Sequence, residues 1–147
     1  MDARWLGTND SSFPGGEASG TDNMVKTEEL EYDGGADDGN GYLTERTLHL
    51  DDSGTSTRVY QYSNDVRGNV LLETNPTAPH LFHKVDRLGR RLATGSFSST
   101  ASIAVGTDDP TTEATNRLAL TQTEYDELGR VWKSKRHKID DACSAAL

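Results

Sequence analysis

The chain has 147 residues, 24 acidic against 15 basic, and a formal net charge of -9, so its overall field repels nucleic acid and argues against that class of partner. Only 33% of the residues are hydrophobic and the mean hydropathy is -0.73, which leaves material for no more than a modest core. The lone cysteine, Cys143, excludes an internal disulfide framework and a multi-cysteine zinc site, and no apolar run approaches the ~20 residues that a membrane-spanning helix needs.

In chain order, residues 1–27 are Gly/Ser/Asp-rich, with Gly15-Gly16 and Thr8-Asn9-Asp10-Ser11-Ser12 and no apolar period. Such a segment buries too little to offset its ordering entropy and is expected to be a disordered leader. Met1-Asp2-Ala3-Arg4-Trp5 lacks the basic then apolar pattern of a secretory signal. Charge is uneven: 13 acidic and 3 basic residues fall at or before Thr57, and 11 and 12 after it.

A first strand is expected from Val25 to Tyr32, then the loop Asp33-Gly34-Gly35-Ala36-Asp37-Asp38-Gly39-Asn40-Gly41, where Asn40-Gly41 favours a type I′ hairpin turn into Tyr42 to Leu50. The oxygen-rich loop raises calcium, but it lacks the alternating acids and terminal Glu of an EF-hand, so turn chemistry is the better reading. Asp51-Asp52-Ser53-Gly54 marks a second turn into the strand-like Thr57 to Tyr62.

Three turn phrases follow. They are Asn64-Asp65-Val66-Arg67-Gly68-Asn69-Val70-Leu71, Val85-Asp86-Arg87-Leu88-Gly89-Arg90-Arg91-Leu92 and Tyr125-Asp126-Glu127-Leu128-Gly129-Arg130-Val131-Trp132. Each has an Asp that can accept bonds from the amides ahead of it and, three residues on, a Gly that takes positive φ, the chemistry of a type I turn closed by a G1 bulge. The aspartates are 21 and 40 residues apart, which fits a unit of about 20 residues with one unit masked. Asp65, Gly68, Asp86, Gly89, Arg90, Asp126, Gly129 and Arg130 are therefore the structural turn motif, and Arg90 and Arg130 are expected to pair with carboxylates of neighbouring hairpins. Asn75-Pro76-Thr77-Ala78-Pro79 reads as a loop, and Ser96 to Asn116, whose one apolar knot is Ile103-Ala104-Val105, as an enlarged hairpin occupying the masked unit. No stretch keeps a helical apolar stripe, so the expected fold is all-β.

The phrase Tyr/Val-Asp-x-Leu-Gly-Arg-x-Leu/Trp resembles the signature of YD repeats, also called Rhs repeats. The match runs over about residues 58 to 139 and is specific at Asp86 to Leu92 and Tyr125 to Trp132, while Val85 replaces the usual Tyr and Asn69 the usual Arg. The resemblance implies antiparallel β-hairpin repeats forming part of a spiralling sheet that encloses a polypeptide or presents a surface. It also implies secreted or cell-surface parents. On this reading the chain divides into a disordered leader (1–27), hairpin repeats (28–140) and a tail (141–147). It is expected to be a fragment or truncated relative, and its partners are further YD/Rhs repeats or an enclosed polypeptide.

The chemistry of sites adds little. The sequence has no Gly-x-Ser-x-Gly, and the turn accounts for Asp86 and Asp126, so no catalytic residue is assigned. His80 and His83, three apart on a strand, point to opposite faces, so neither a metal nor any other cofactor is expected. Lys133-Ser134-Lys135-Arg136-His137-Lys138 is read as solvated strand residues rather than a nucleic-acid patch. Tyr60, Tyr62, Phe82, Tyr125 and Trp132 suit an inter-hairpin core. The alternative is a carbohydrate- or cell-surface-binding module in which Tyr60 and Trp132 stack on glycans.

Overall fold

A computed structural model describes residues 2–7, 24–35, 39–51 and 55–137. The chain divides into two compact units, Met1–Tyr60 and Gln61–Leu147, and each is an antiparallel meander of strands taken in sequence order. The all-β expectation holds.

The first unit contains β1 (Asp2–Gly7), β2 (Met24–Tyr32) and β3 (Leu43–His49), with β2 pairing β1 on one side and β3 on the other. Buried Glu28 of β2 stitches the three strands together, because its two carboxylate oxygens take Arg4 at 2.9 Å from β1 and Arg46 at 2.6 Å from β3. A buried carboxylate is tolerated only when paired, and Glu28 has a guanidinium from each side. Lys26 lies 5.3 Å from the centre of the Trp5 ring, a second link between β1 and β2.

These contacts correct the expectation of a disordered leader at its first residues, while the strand expected from Val25 begins one residue earlier, at Met24. Asp2–Gly7 and the start of β2 at Met24 are strand, drawn into the sheet by charge pairing that an apolar-period argument does not register. Residues 8–23 lie outside the described residues, as does the expected tail at 141–147.

The β2–β3 connection also differs from the type I′ turn expected at Asn40-Gly41. Strand pairing ends at Tyr32↔Leu43, and Asp33 does the closing work. Its carboxylate accepts from the amides of Gly41 (2.6 Å) and Tyr42 (3.2 Å), while its own amide donates to the Tyr42 carbonyl at 2.9 Å. Asp33 holds φ 56° to do so, a conformation that Asp tolerates better than most residues.

The second unit begins within β4 (Thr57–Asn64) and continues through β5 (Val70–Thr74), β6 (His80–Val85), β7 (Arg91–Phe97), β8 (Arg117–Tyr125) and β9 (Val131–His137). Three hairpins, β4–β5, β6–β7 and β8–β9, share one register, in which the residue just before each turn Asp pairs with the second residue after each turn Gly. These pairs are Asn64↔Val70, Val85↔Arg91 and Tyr125↔Val131, each beside a bulge. Alternation of side chains along a strand then gives every hairpin the same two faces.

On one face Leu72, Phe82 and Phe97 form the core, and Ile103 and Val105 from the 98–116 connection pack onto it. Phe82 and Phe97 meet edge to face with ring centres 6.2 Å apart, a favoured aromatic geometry. The enlarged hairpin expected at 96–116 is thus the β7–β8 connection folded back as a lid on the sheet. Its apolar knot supplies the cover that the meander cannot provide for itself. Gly95 leaves the space in which this happens. A Cβ there would fall 2.5 Å from the Phe97 ring, and Pro110, fully buried, comes within 3.2 Å of the same point.

Replacing Gly95 by Ala is expected to lower stability by about 1–3 kcal/mol through overpacking, whereas Leu118→Ala, at a side chain 53% exposed, should change it by less than about 0.5 kcal/mol. Urea midpoints at constant slope measure both.

Candidate functional site

The feature that recurs with chemical regularity is the end of the second unit where its three Asp-Gly turns lie. In each, the Gly amide donates to the Asp carbonyl and the Asp amide to the carbonyl of the residue after the Gly, all at 2.9–3.0 Å. The glycines sit at φ 81°, 77° and 78° for Gly68, Gly89 and Gly129, a region in which a Cβ is penalised.

Each carboxylate is spent in the same way. One oxygen of Asp86 accepts from the amides of Leu88 (2.8 Å) and Arg90 (3.0 Å), and the other from Arg90 Nε (2.7 Å). Asp126 takes Leu128, Arg130 and Arg130 Nε at 3.0, 2.8 and 2.7 Å. Asp65 takes the amides of Arg67 and Asn69 at 2.8 and 2.9 Å and, in place of an arginine, Asn69 Nδ2 at 2.9 Å. The departure from Arg to Asn at position 69 therefore keeps the bond that the position makes.

The expected pairing of the arginines with carboxylates of neighbouring hairpins gives way to ion pairs within each turn, and only the charge of Arg90 also acts on Asp126 of the next hairpin. Arg90 and Arg130 salt-bridge the Asp of their own turn at 2.7 Å, because the residue after the Gly is held directly behind that carboxylate. Asn69 lowers the Asp65 carboxyl by its side-chain bond, against a smaller effect of burial. Burial pushes Asp86 up, yet the Arg90 amide, the Arg90 guanidinium and the Leu88 amide bring it below the usual carboxylate range. Asp126 is lowered by the Arg130 amide and side chain.

Neighbouring turns touch through the same position. A Cβ on Gly89 would lie 2.8 Å from Asn69 Oδ1, and one on Gly129 would lie 3.6 Å from Arg90 Nη1. Arg67 also donates to the Arg87 carbonyl. Arg90 lies 4.7 Å from the centre of the Tyr125 ring, and the Tyr125 hydroxyl donates to the Arg91 carbonyl at 3.1 Å. The aromatic residue before one Asp thus covers the arginine of the preceding turn. Tyr125, which sequence reading placed in an inter-hairpin core, does bridge two hairpins, though by covering an arginine, whereas Gly95 escaped the sequence reading.

The proposed stacking residues belong to different units. Tyr60 is half-buried, with Arg46 5.9 Å from its ring centre. Trp132 is 63% exposed, with Lys133 at 5.5 Å.

A cavity of about 280 Å³ lies between β6 and the lid, lined among others by Phe82, His83, Lys84, Asp108, Asp109 and Pro110. Its charged groups are already engaged. Lys84 pairs with Asp109, Asp109 also accepts from Thr111, and Asp108 accepts from the Ala104 amide. Among the described residues no group of three His, Cys, Asp or Glu could hold a metal ion, and no helix is long and apolar enough to cross a membrane.

His83 and His80 do different things. The His80 ring nitrogen accepts from the Asn75 amide at 3.2 Å, while His83 is buried, with Nδ1 3.1 Å from Thr94 Oγ1 and Nε2 without a hydrogen-bond partner in the protein. Burial, with a smaller push from Arg91, lowers its pKa to about 4.

No protein-family model matches the chain, and no curated protein matches it.

The His83 shift sets a pH dependence. An unfolded imidazole binds its proton near the ordinary value of 6.5, and the folded one only near 4, so stability is full above 6.5 and falls as pH drops from 6.5 towards 4. The loss is of order 3 kcal/mol. The lowered turn aspartates contribute a second loss below their ordinary value of 3.8. Urea unfolding of His83→Gln across about pH 2–7 should show the first loss removed and the second, below 3.8, kept.

Proposed function

We propose that this chain is a noncatalytic segment of a YD/Rhs-repeat scaffold, a shell or surface element whose work is to stack hairpins. The observation that carries this reading is the repeated interlock. Three turns spend their carboxylates on the same pattern of two amides and the side chain after the Gly, and in the first two that side chain, Asn69 or Arg90, reaches the next turn. In a repeat protein stability is a sum of units and nearest-neighbour interfaces, and this contact is such an interface term. Carboxylates committed to turn geometry are poor candidates for acid/base work, which favours a scaffold over an enzyme.

A second reading, a carbohydrate- or cell-surface-binding module, is favoured by one feature, the exposed Trp132 ring on an outer strand. On that reading Trp132→Ala and Tyr60→Ala abolish retention on immobilised glycans with an unchanged far-UV spectrum. On the scaffold reading glycans are not retained by either form.

The scaffold reading is tested by comparing Arg90→Ala with Arg130→Ala. Both lose the bond to their own Asp, but only Arg90 also covers Tyr125 of the next hairpin, and its side chain is 31% exposed against 73% for Arg130. Arg90→Ala is expected to cost about 1 kcal/mol more than Arg130→Ala in urea unfolding. Equal costs would remove the interface on which the proposal stands.

A further inference from the structure

We infer that the outer edge of β9 and the Arg130 turn form an acceptor for one further β-hairpin of defined chemistry. That hairpin has an aromatic residue just before its turn Asp and carboxylates three and five residues before that aromatic. The inference rests on the scaffold reading and adds the identity of the partner to it.

The first argument is register. Two interfaces between successive hairpins are present and they match. Leu72 of β5 pairs with Phe82, three residues before Val85, and Ala93 of β7 pairs with Gln122, three residues before Tyr125. Gly95 pairs with Leu120, five before Tyr125. Leu72, Ala93 and Lys133 occupy one slot, since each pairs within its hairpin with Ser63, Lys84 or Glu124, the residue two before the turn Asp. Lys135 occupies the slot of Gly95, for their partners Gln122 and Phe82 are equivalent. A hairpin added in this register places its third residue before the aromatic opposite Lys133 and its fifth opposite Lys135.

The second argument is charge. Where the inner hairpins put Leu72, Ala93 and Gly95, β9 puts Lys133 and Lys135, two cations that share one carboxylate, Glu124 of β8, 2.8 Å from Lys135. The strand has Lys133, Lys135 and Arg136 and no acidic residue. Lysines on an edge strand oppose unselective pairing, and like charges placed opposite each other are destabilising while opposite charges stabilise. A second β9 is therefore a poor partner and an acidic strand a good one.

The third argument is the aromatic. The Arg90 guanidinium faces the Tyr125 ring at 4.7 Å, while Arg130, in the same geometry with its own Asp, keeps a side chain 73% exposed. Among the described residues β9 pairs only with β8, and all seven of its residues are exposed. A ring delivered one hairpin further on meets Arg130 as Tyr125 meets Arg90.

The test is calorimetric titration of the full chain with a synthetic peptide of residues 117–137 carrying Leu120→Glu and Gln122→Glu, which sets acids five and three before Tyr125. Saturable binding below about 1 mM is expected. Arg130→Ala in the protein should weaken it about threefold or more, with no such effect on the Tyr125→Ala peptide. Lys133→Glu with Lys135→Glu should weaken the acidic peptide about fivefold and favour one with Lys at the same two positions. The inference is overturned by absence of saturable binding, or by equal losses with both peptides on Arg130→Ala. It is also overturned if sedimentation shows the chain pairing with its own copies through an edge that the charge reversal abolishes. Arg90 against Arg130 stability reports the stacking of hairpins, and the titration reports the edge alone, so the two fail separately.

Discussion

Everything in the second unit turns on a carboxylate that caps its own hairpin. One oxygen of the turn Asp takes two backbone amides and the other takes the side chain after the Gly. Hydrogen bonds to an ionised group are stronger than neutral ones, and here three of them converge on a single turn. The bend therefore depends on ionisation as well as on glycine, and the bulge that goes with it sets which face each strand residue takes. A slip of one residue would exchange the core face with the outer face.

From that constraint the interlock follows. Because the side chain after the Gly is held behind the carboxylate, it stands at a constant height at the end of the sheet. Neighbouring strands lie about 4.8 Å apart, so successive turns are separated by about 10 Å, within reach of a guanidinium. Arg90 accordingly serves two hairpins, its own through Asp86 and the next through Tyr125. Asn69, shorter, bonds its own Asp and abuts Gly89. The exposure of Arg130 has the same origin, since it occupies the position of Arg90 with no ring over it among the described residues.

The core is small and is completed by a connection rather than a second layer. A meander buries one face only if something covers it, and the 98–116 lid brings Ile103 and Val105 onto Phe82 and Phe97 while Gly95 keeps the room open. The lid leaves β9 uncovered, with all seven of its residues exposed and cations on both faces. The apolar core and the charged edge are thus two consequences of where one long connection ends.

The sequence alone determined the turns and, with them, the strand order of the second unit, because Asp and Gly at that spacing have a local chemistry that needs no distant partner. The all-β class followed from the same signals and from missing helical periodicity. What the tertiary structure decided was everything that depends on reach between segments far apart in the chain. Arg4 found Glu28 and drew Asp2–Gly7, the first residues of an apparently featureless segment, into strand. Asp33 overrode the Asn40-Gly41 turn by binding amides across a loop. Arg90 and Arg130 made their ion pairs with their own aspartates, and Arg90 reaches the neighbouring Asp126 by its charge alone. Composition and period register how a residue prefers to bend or bury, but a charge pairs with whichever partner the fold brings within about 3 Å, and only the assembled sheet sets that distance.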